Sequence, residues 1–302
     1  MQFGLVFEGQ IMAALGMLYL LLGVASVGVA LKTRARPYCQ LRLQVYAWWW
    51  ILPVLTLGLV SYPLGPILLV LLIGMLGMRE LAQLIQPVSS GFQWTAVAVL
   101  VTVVSLTVLK IRLLFIFLPA LLVLPLPCFF LCRQAVRLVW LLLLLTCYGA
   151  SFLVRYIDLP FSAQINLAWL CYLFAVTALN DVGQFIFGTV FGRHRIAPSI
   201  SPNKTWQGLA DGIAVSIGTS LALGAYLQLA DLARLAAYAV LLSLGGFCGD
   251  LVFSAAKRSF GIKDFSRLIP GHGGMLDRAD SLIVTAPLLY FLICFSQEGS
   301  IQ

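Results

Sequence analysis

Apolar runs dominate the chain, and short polar stretches punctuate them. Runs of roughly 17–25 residues are long enough to cross a bilayer as helices. On that basis the pattern predicts helices near 11–31, 45–61, 64–79, 93–109, 113–131, 136–154, 164–182, 209–228, 235–256 and 281–297. The second and third are short and separated by Ser61-Tyr62-Pro63, so they form either a hairpin or one broken helix, and the total is nine or ten. The expected fold class is all-α, a polytopic helical membrane bundle. No internal repeat or low-complexity linker divides residues 1–302. One membrane domain is expected, with apolar N-terminal helices over 1–160 and a chemically active half over 161–302.

Composition points the same way. The chain is 61% hydrophobic and 10% charged, where soluble domains carry about 25% charged residues. A soluble fold of this length cannot hide so much apolar surface. The formal net charge of +8 reports topology and contact with anionic membrane lipids. No basic-aromatic module stands out, so no nucleic-acid partner is expected. The seven cysteines lie mostly in apolar runs. Cys128 and Cys132 are one helical turn apart, but no histidine lies nearby to complete a zinc set, so they read as packed thiols. The N-terminus lacks the basic start of a cleaved signal, so the first run is expected to be retained.

Lysines and arginines orient the bundle. With ten spans and the N-terminus outside, inner loops receive fifteen of the 19 cations and outer loops four (Lys110, Arg112, Arg155 and Arg234). The polar loops 183–208 and 257–280 then face the cytoplasm, where nucleotides are.

About a third of the charged residues fall in residues 249–280, a tenth of the chain. Charge beside a membrane span is costly, roughly 2.5–3.5 kcal/mol per residue at a helix centre. Here carboxylates alternate with cations around a glycine-rich turn, a mixture suited to a divalent metal and a polyphosphate. Asp277 and Asp280 are three apart and share a helix face. Asp250 lies in the preceding apolar run, where an acid is a functional candidate by default. Carboxylates from two helices can converge on magnesium, which takes oxygen ligands and keeps water or phosphate in its shell. The alternative for Asp277 and Asp280 is simple capping of a helix N-terminus. Gly273 and Gly274 can aim backbone N–H groups at an anion, and Lys257, Arg258, Lys263 and Arg278 add charge-assisted donors. His272 binds phosphate, shuttles a proton or holds the loop; the sequence does not choose. Upstream, Ser201, Lys204 and Thr205 precede another helix and suit a phosphate site, or an ordinary capped helix. Asp181 and Asp211 add polarity to neighbouring spans. In the first half, Arg79-Glu80 reads as an ion pair marking the membrane edge.

These residues resemble the phosphatidate cytidylyltransferase family, also called CDP-diacylglycerol synthases. The family pattern is met by Ser254, Lys257, Arg258, Lys263, Asp264, Ser266, Pro270, His272, Gly273, Gly274, Asp277, Arg278 and Asp280. Its upstream element is similar to Ser201 through Gly208. The resemblance covers about 180–281. It implies attack of a phosphatidate oxygen on the α-phosphorus of CTP, with loss of pyrophosphate. It also implies magnesium at Asp250 and Asp277, leaving open whether a second cation joins, and dimers of multi-span subunits. An integral protein of the bacterial inner membrane is expected. Asn203 and Gln207 depart from the family's lysine and glutamate, a change that reads as charge-compensating, or as a sign of another acceptor lipid. Gln184 and Ala279 also depart from it. A transporter with an intramembrane acidic site is the reading from another class; charge gathered at one face and the lack of repeated halves speak against it.

Overall fold

Length and apolarity alone set the helices. The computed structural model describes residues 9–33, 40–85, 90–109, 134–271 and 273–298. Among these the chain forms α1 (Gly9–Lys32), α2 (Gln40–Val60), α3 (Leu64–Ala82), α4 (Ser90–Val108) and α5 (Gln134–Arg155), the last followed by a 3-10 turn at Tyr156–Asp158. The second half forms α6 (Ala163–Phe191), α7 (Trp206–Tyr226), α8 (Leu232–Ser259) and α9 (Leu276–Glu298). Eight of the helices are long and apolar enough to cross a membrane, and Phe92–Val108 is a shorter apolar helix. The chain is therefore an integral membrane bundle. The predicted span at 113–131 lies outside the described residues.

Three helix starts are capped as side-chain chemistry dictates. The oxygens of Ser162, Thr205 and Asp231 accept from Ile165, Gly208 and Arg234 N–H groups at the starts of α6, α7 and α8. Helices α2 and α3 fold back as a hairpin. Gly58 lies against the side chain of Leu69, and Gly65 meets the Gly58 backbone, contacts that one continuous helix cannot make.

Two differences from the sequence expectation have physical reasons. Helix α6 runs to Phe191, past the end expected near 182. The polar Asn180 does not stop it, because its side-chain oxygen accepts from Gln184, Ser216 and Ser243. Each such bond inside a bundle contributes on the order of 0.6 kcal/mol. The loop after α6 carries a short antiparallel ribbon, β1 (Arg195–Ala197) and β2 (Ser201–Thr205), which pairs Arg195 with Thr205 and Ala197 with Ser201. That ribbon ends directly at α7.

Helices α5 and α6 hold the centre, with Phe152, Tyr156 and Tyr172 fully buried. Inter-helix hydrogen bonds tie the centre to its neighbours. Tyr156 donates to the Ala286 carbonyl at 3.0 Å, Tyr172 and Ser220 hydroxyls meet at 2.6 Å, and Thr177 and Thr285 at 3.0 Å. Helix α1 is peripheral and turns Met17, Leu20 and Val24 outward, as suits a lipid-facing surface. Helix α3 packs on α5 and reaches α9, so the N-terminal helices touch the polar end of the molecule.

Close helix approach gives a test. A methyl at Gly149 of α5 would strike the Ile283 carbonyl of α9, whereas Gly218 of α7 has nothing within 4 Å of such a methyl. Gly149→Ala should therefore destabilise by about 1–3 kcal/mol, read as a lower melting temperature in detergent. Gly218→Ala should be neutral or mildly stabilising. Equal melting temperatures for the two variants would contradict this packing.

Candidate active site

The polar end is built where α8 and α9 cross. Gly249 allows the approach: a methyl there would lie 2.5 Å from the Asp280 carbonyl. The crossing brings Asp250 of α8 beside Asp280 of α9. Asp181 of α6 joins them, within coulombic range of both. Its carboxylate accepts from the Ser281 hydroxyl at 3.2 Å. Three helices thus deliver three acids to one place, and cations answer them.

The first ion pair joins Lys204 of β2 to Asp250 at 2.7 Å. The Lys204 ammonium also lies 4.3 Å from the centre of the Phe247 ring, a favourable cation–π distance. Ser254, one turn along α8, donates to the other Asp250 oxygen at 3.0 Å. The second pair joins Lys257 of α8 to Asp277 of α9 at 2.6 Å. Asp250 and Lys257 are seven residues apart, two turns, and so share one face of α8. The two pairs differ in burial. The Asp250 side chain is 35% exposed and that of Asp277 only 2%.

Asp277 is a hub. Beyond Lys257, its second oxygen accepts from the N–H groups of Phe265 at 2.9 Å and Gly274 at 2.8 Å. One carboxylate therefore pins both ends of the loop between α8 and α9. The glycine-rich turn in that loop closes on itself through paired hydrogen bonds between Ile269 and Gly273. Gly271 and Gly273 sit at φ +75° and +85°, where a side chain would be strained. The expected cradle of free N–H groups has other partners here. Gly273 N–H donates to Ile269, Gly274 N–H to Asp277, and the N–H groups of Met275 and Leu276 to Glu80 of α3. A phosphate near this turn would be met by side chains instead. Lys263, Asp264, Arg267 and Arg278 are exposed and line a recess of about 370 Å³, which Gln44 of α2 also borders.

The other sequence candidates are placed as follows. Arg258 donates to the Ile200 and Ile262 carbonyls, both at 3.0 Å, and so ties the ribbon to the end of α8. The Thr205 hydroxyl caps α7. Ser201 pairs within the ribbon. Asp280 is buried, and one oxygen accepts from Ser281 N–H at 2.8 Å. His272 lies outside the described residues. Gln207 is engaged with the start of the ribbon rather than with Asn203. Gln207 accepts from Arg193 and His194 N–H groups, both at 3.1 Å, and its amide meets His194 Nδ1 at 2.9 Å. It clamps the start of the ribbon, while Asn203 stands exposed. Glu80 is 3% exposed and faces the loop through Ser266, Met275 and Leu276. The signal for it was scarcity, since Glu8 and Glu80 are the only acids before Asp158.

The donors suit a hard divalent cation by chemistry, being carboxylate oxygens. Among the described residues no group of three or more His, Cys, Asp or Glu side chains is arranged to hold a metal alone. Magnesium does not need such a cage, since one or two carboxylates with water and substrate phosphates suffice. Asp250 and Asp277 each have both oxygens engaged by protein donors, but Asp250 is much the more exposed of the two.

Comparison with known proteins places the chain. The cytidylyltransferase family model matches residues 42–296, and the chain belongs to that family. The Uncharacterized protein YnbB of Escherichia coli (strain K12) is 43% identical over 122 residues, 40% of this chain and 41% of that protein. A protein of Staphylococcus epidermidis named phosphatidate cytidylyltransferase is 42% identical over 129 residues, 42% of this chain and 50% of that protein. One of the same name from Staphylococcus aureus is 41% identical over 129 residues, with the same coverage. The chain thus matches half or less of the length of these relatives.

The two ion pairs should respond unequally to neutralisation. Asp277→Asn leaves Lys257 buried without its partner and should cost about 3–5 kcal/mol. Asp250→Asn acts at a more exposed pair and should cost clearly less. Thermal unfolding in detergent reads both, and similar losses would refute the hub role of Asp277.

Proposed function

We propose that the chain transfers the cytidylyl group of CTP to phosphatidate, giving CDP-diacylglycerol and pyrophosphate. The observation that carries this reading is the pair of adjacent ion pairs, Lys204–Asp250 and Lys257–Asp277, beside a recess rimmed by Lys263, Arg267 and Arg278. Family membership and the names of the staphylococcal relatives support it.

In this reaction an oxygen of the lipid phosphate attacks the α-phosphorus of CTP. A new P–O bond forms, the bond from the α-phosphorus to the bridging oxygen breaks, and pyrophosphate leaves with that electron pair. The attacking phosphate is already anionic near neutral pH, so no strong base is required. The protein's task is alignment and charge neutralisation. Lys263, Arg267 and Arg278 would receive the β- and γ-phosphates. Lys204 and Lys257 keep the acids oriented and offset their mutual repulsion. Asp250 and Asp280, with Asp277 beside them, would hold magnesium, which when bound neutralises charge on the phosphate oxygens. Our reading puts the polar end on the cytoplasmic side of a bacterial inner membrane, with the N-terminus outside and the subunits paired as homodimers. Lipid then arrives through the bilayer and nucleotide from the cytosol.

Purified chain should release pyrophosphate from CTP only when phosphatidate and magnesium are both present, and chelation should stop it. Asp250→Asn should lower the rate by at least about a hundredfold while the protein stays folded. No release with phosphatidate, but release with another lipid phosphate, would reassign the acceptor. For the orientation, single cysteines in 183–208 or 257–280, placed in a chain without its native cysteines, should resist an impermeant thiol reagent in intact cells and react after the membrane is opened. Labelling in intact cells would reverse the topology.

A further inference from the structure

Glu80 lies in α3, about 170 residues before the charged motif, yet its carboxylate ends among that motif's backbone. One oxygen accepts from the Ser266 hydroxyl and the Met275 N–H, both at 2.7 Å, and the other from the Leu276 N–H at 3.0 Å. Met275 and Leu276 open α9, so an acid here meets the positive end of a helix as well as its otherwise unpaired N–H groups. The fit is close. A methyl on Gly274 would lie 2.5 and 2.6 Å from the two Glu80 oxygens, and all three of its nearest atoms belong to Glu80. One turn before Glu80, Gly77 lets Leu276 come down on α3, where a methyl would lie 2.9 Å from Leu276 Cδ2.

The loop that Glu80 grips from one side is the loop that Asp277 grips from the other. Asp277 takes Phe265 and Gly274; Glu80 takes Ser266, Met275 and Leu276. Between and beside these anchors stand Lys263, Arg267 and Arg278, the cations of the recess. We propose that Glu80 is a positioning residue for the nucleotide: it fixes the cationic loop so that Lys263, Arg267 and Arg278 face one triphosphate. This rests on the cytidylyl-transfer reading above. It also gives the apolar N-terminal half a part in the reaction, through one charged side chain.

The test uses the full-length chain in detergent or nanodiscs with four variants: Glu80→Gln, Glu80→Ala, Gly274→Ala, and Glu80→Ala combined with Gly274→Ala. The Glu80 variants should raise KM for CTP on the order of tenfold, the loss of a charge-assisted hydrogen bond. On this proposal KM for phosphatidate should stay within about twofold, since the loop is assigned to the triphosphate. Deuterium uptake over 273–276 should be faster in both. Gly274 has no positive φ of its own, so Gly274→Ala should be harmful only while Glu80 is present, and its added effect should shrink in the Glu80→Ala background. A lower melting temperature with both KM values unchanged would mean a purely structural role and overturn the proposal. So would unchanged exchange at 273–276, or additive effects of Glu80→Ala and Gly274→Ala. Should Glu80→Ala not fold, Glu80→Gln and Gly274→Ala still decide through KM and exchange. A wild-type chain inactive with CTP and phosphatidate would sink the functional reading. The exchange measurement needs no turnover, so it separates that failure from failure of the loop anchor.

Discussion

A charge taken out of water must find an opposite charge or a set of hydrogen bonds, and the polar end of this bundle is organised by that requirement. The Asp277 carboxylate is nearly inaccessible. It is tolerable there because Lys257 and two backbone N–H groups surround it. Satisfying one buried acid therefore sets three things at once: the approach of α8 to α9, the path of the loop between them, and the direction in which the loop's cations point. Asp250 is solved differently, with a lysine from the ribbon and a serine one turn away, and it keeps access to solvent. The more buried pair acts as framework. The more open pair is the one that solvent reaches.

The helices were legible in the sequence because a bilayer asks only for length and apolarity, and every predicted span within the described residues is a helix. The motif was legible too: Lys257, Asp277 and Asp280 come together with Asp250 as the spacing suggested. The details that failed depend on partners distant in sequence. The end of α6 was misjudged because Asn180 and Asp181 look like a helix stop until Ser216, Ser243 and Ser281 supply their hydrogen bonds. The ribbon at 195–205 is too short to show a period. Glu80 looked like a membrane-edge residue because nothing near it in sequence reveals that Ser266 and the start of α9 lie against it. Gln207 was read together with Asn203, four residues away, and nothing in the sequence signals that its hydrogen bonds go to the backbone of residues 193 and 194.

Family membership rests on a match over most of the chain, and the matched relatives are longer than the stretch they share with it. The candidate site residues sit where α3, α6, α8 and α9 meet. Each of those helices also does ordinary packing work, through Gly77, Gly183, Gly249 and Ile283. Candidate site residues and helix-packing residues thus occupy neighbouring positions of the same few turns.

The Gly-Gly turn has the widest consequence. Gly273 faces an Asp277 oxygen and Gly274 faces Glu80 so closely that neither has room for a methyl. Those glycines answer to the protein's own carboxylates before they answer to any ligand. A chain could exchange its acceptor lipid, or lose turnover altogether, and still favour both glycines for packing. The signature that makes such sequences easy to group is therefore in part an architectural mark, and the residues that distinguish one substrate from another must be sought on the faces that the turn leaves open.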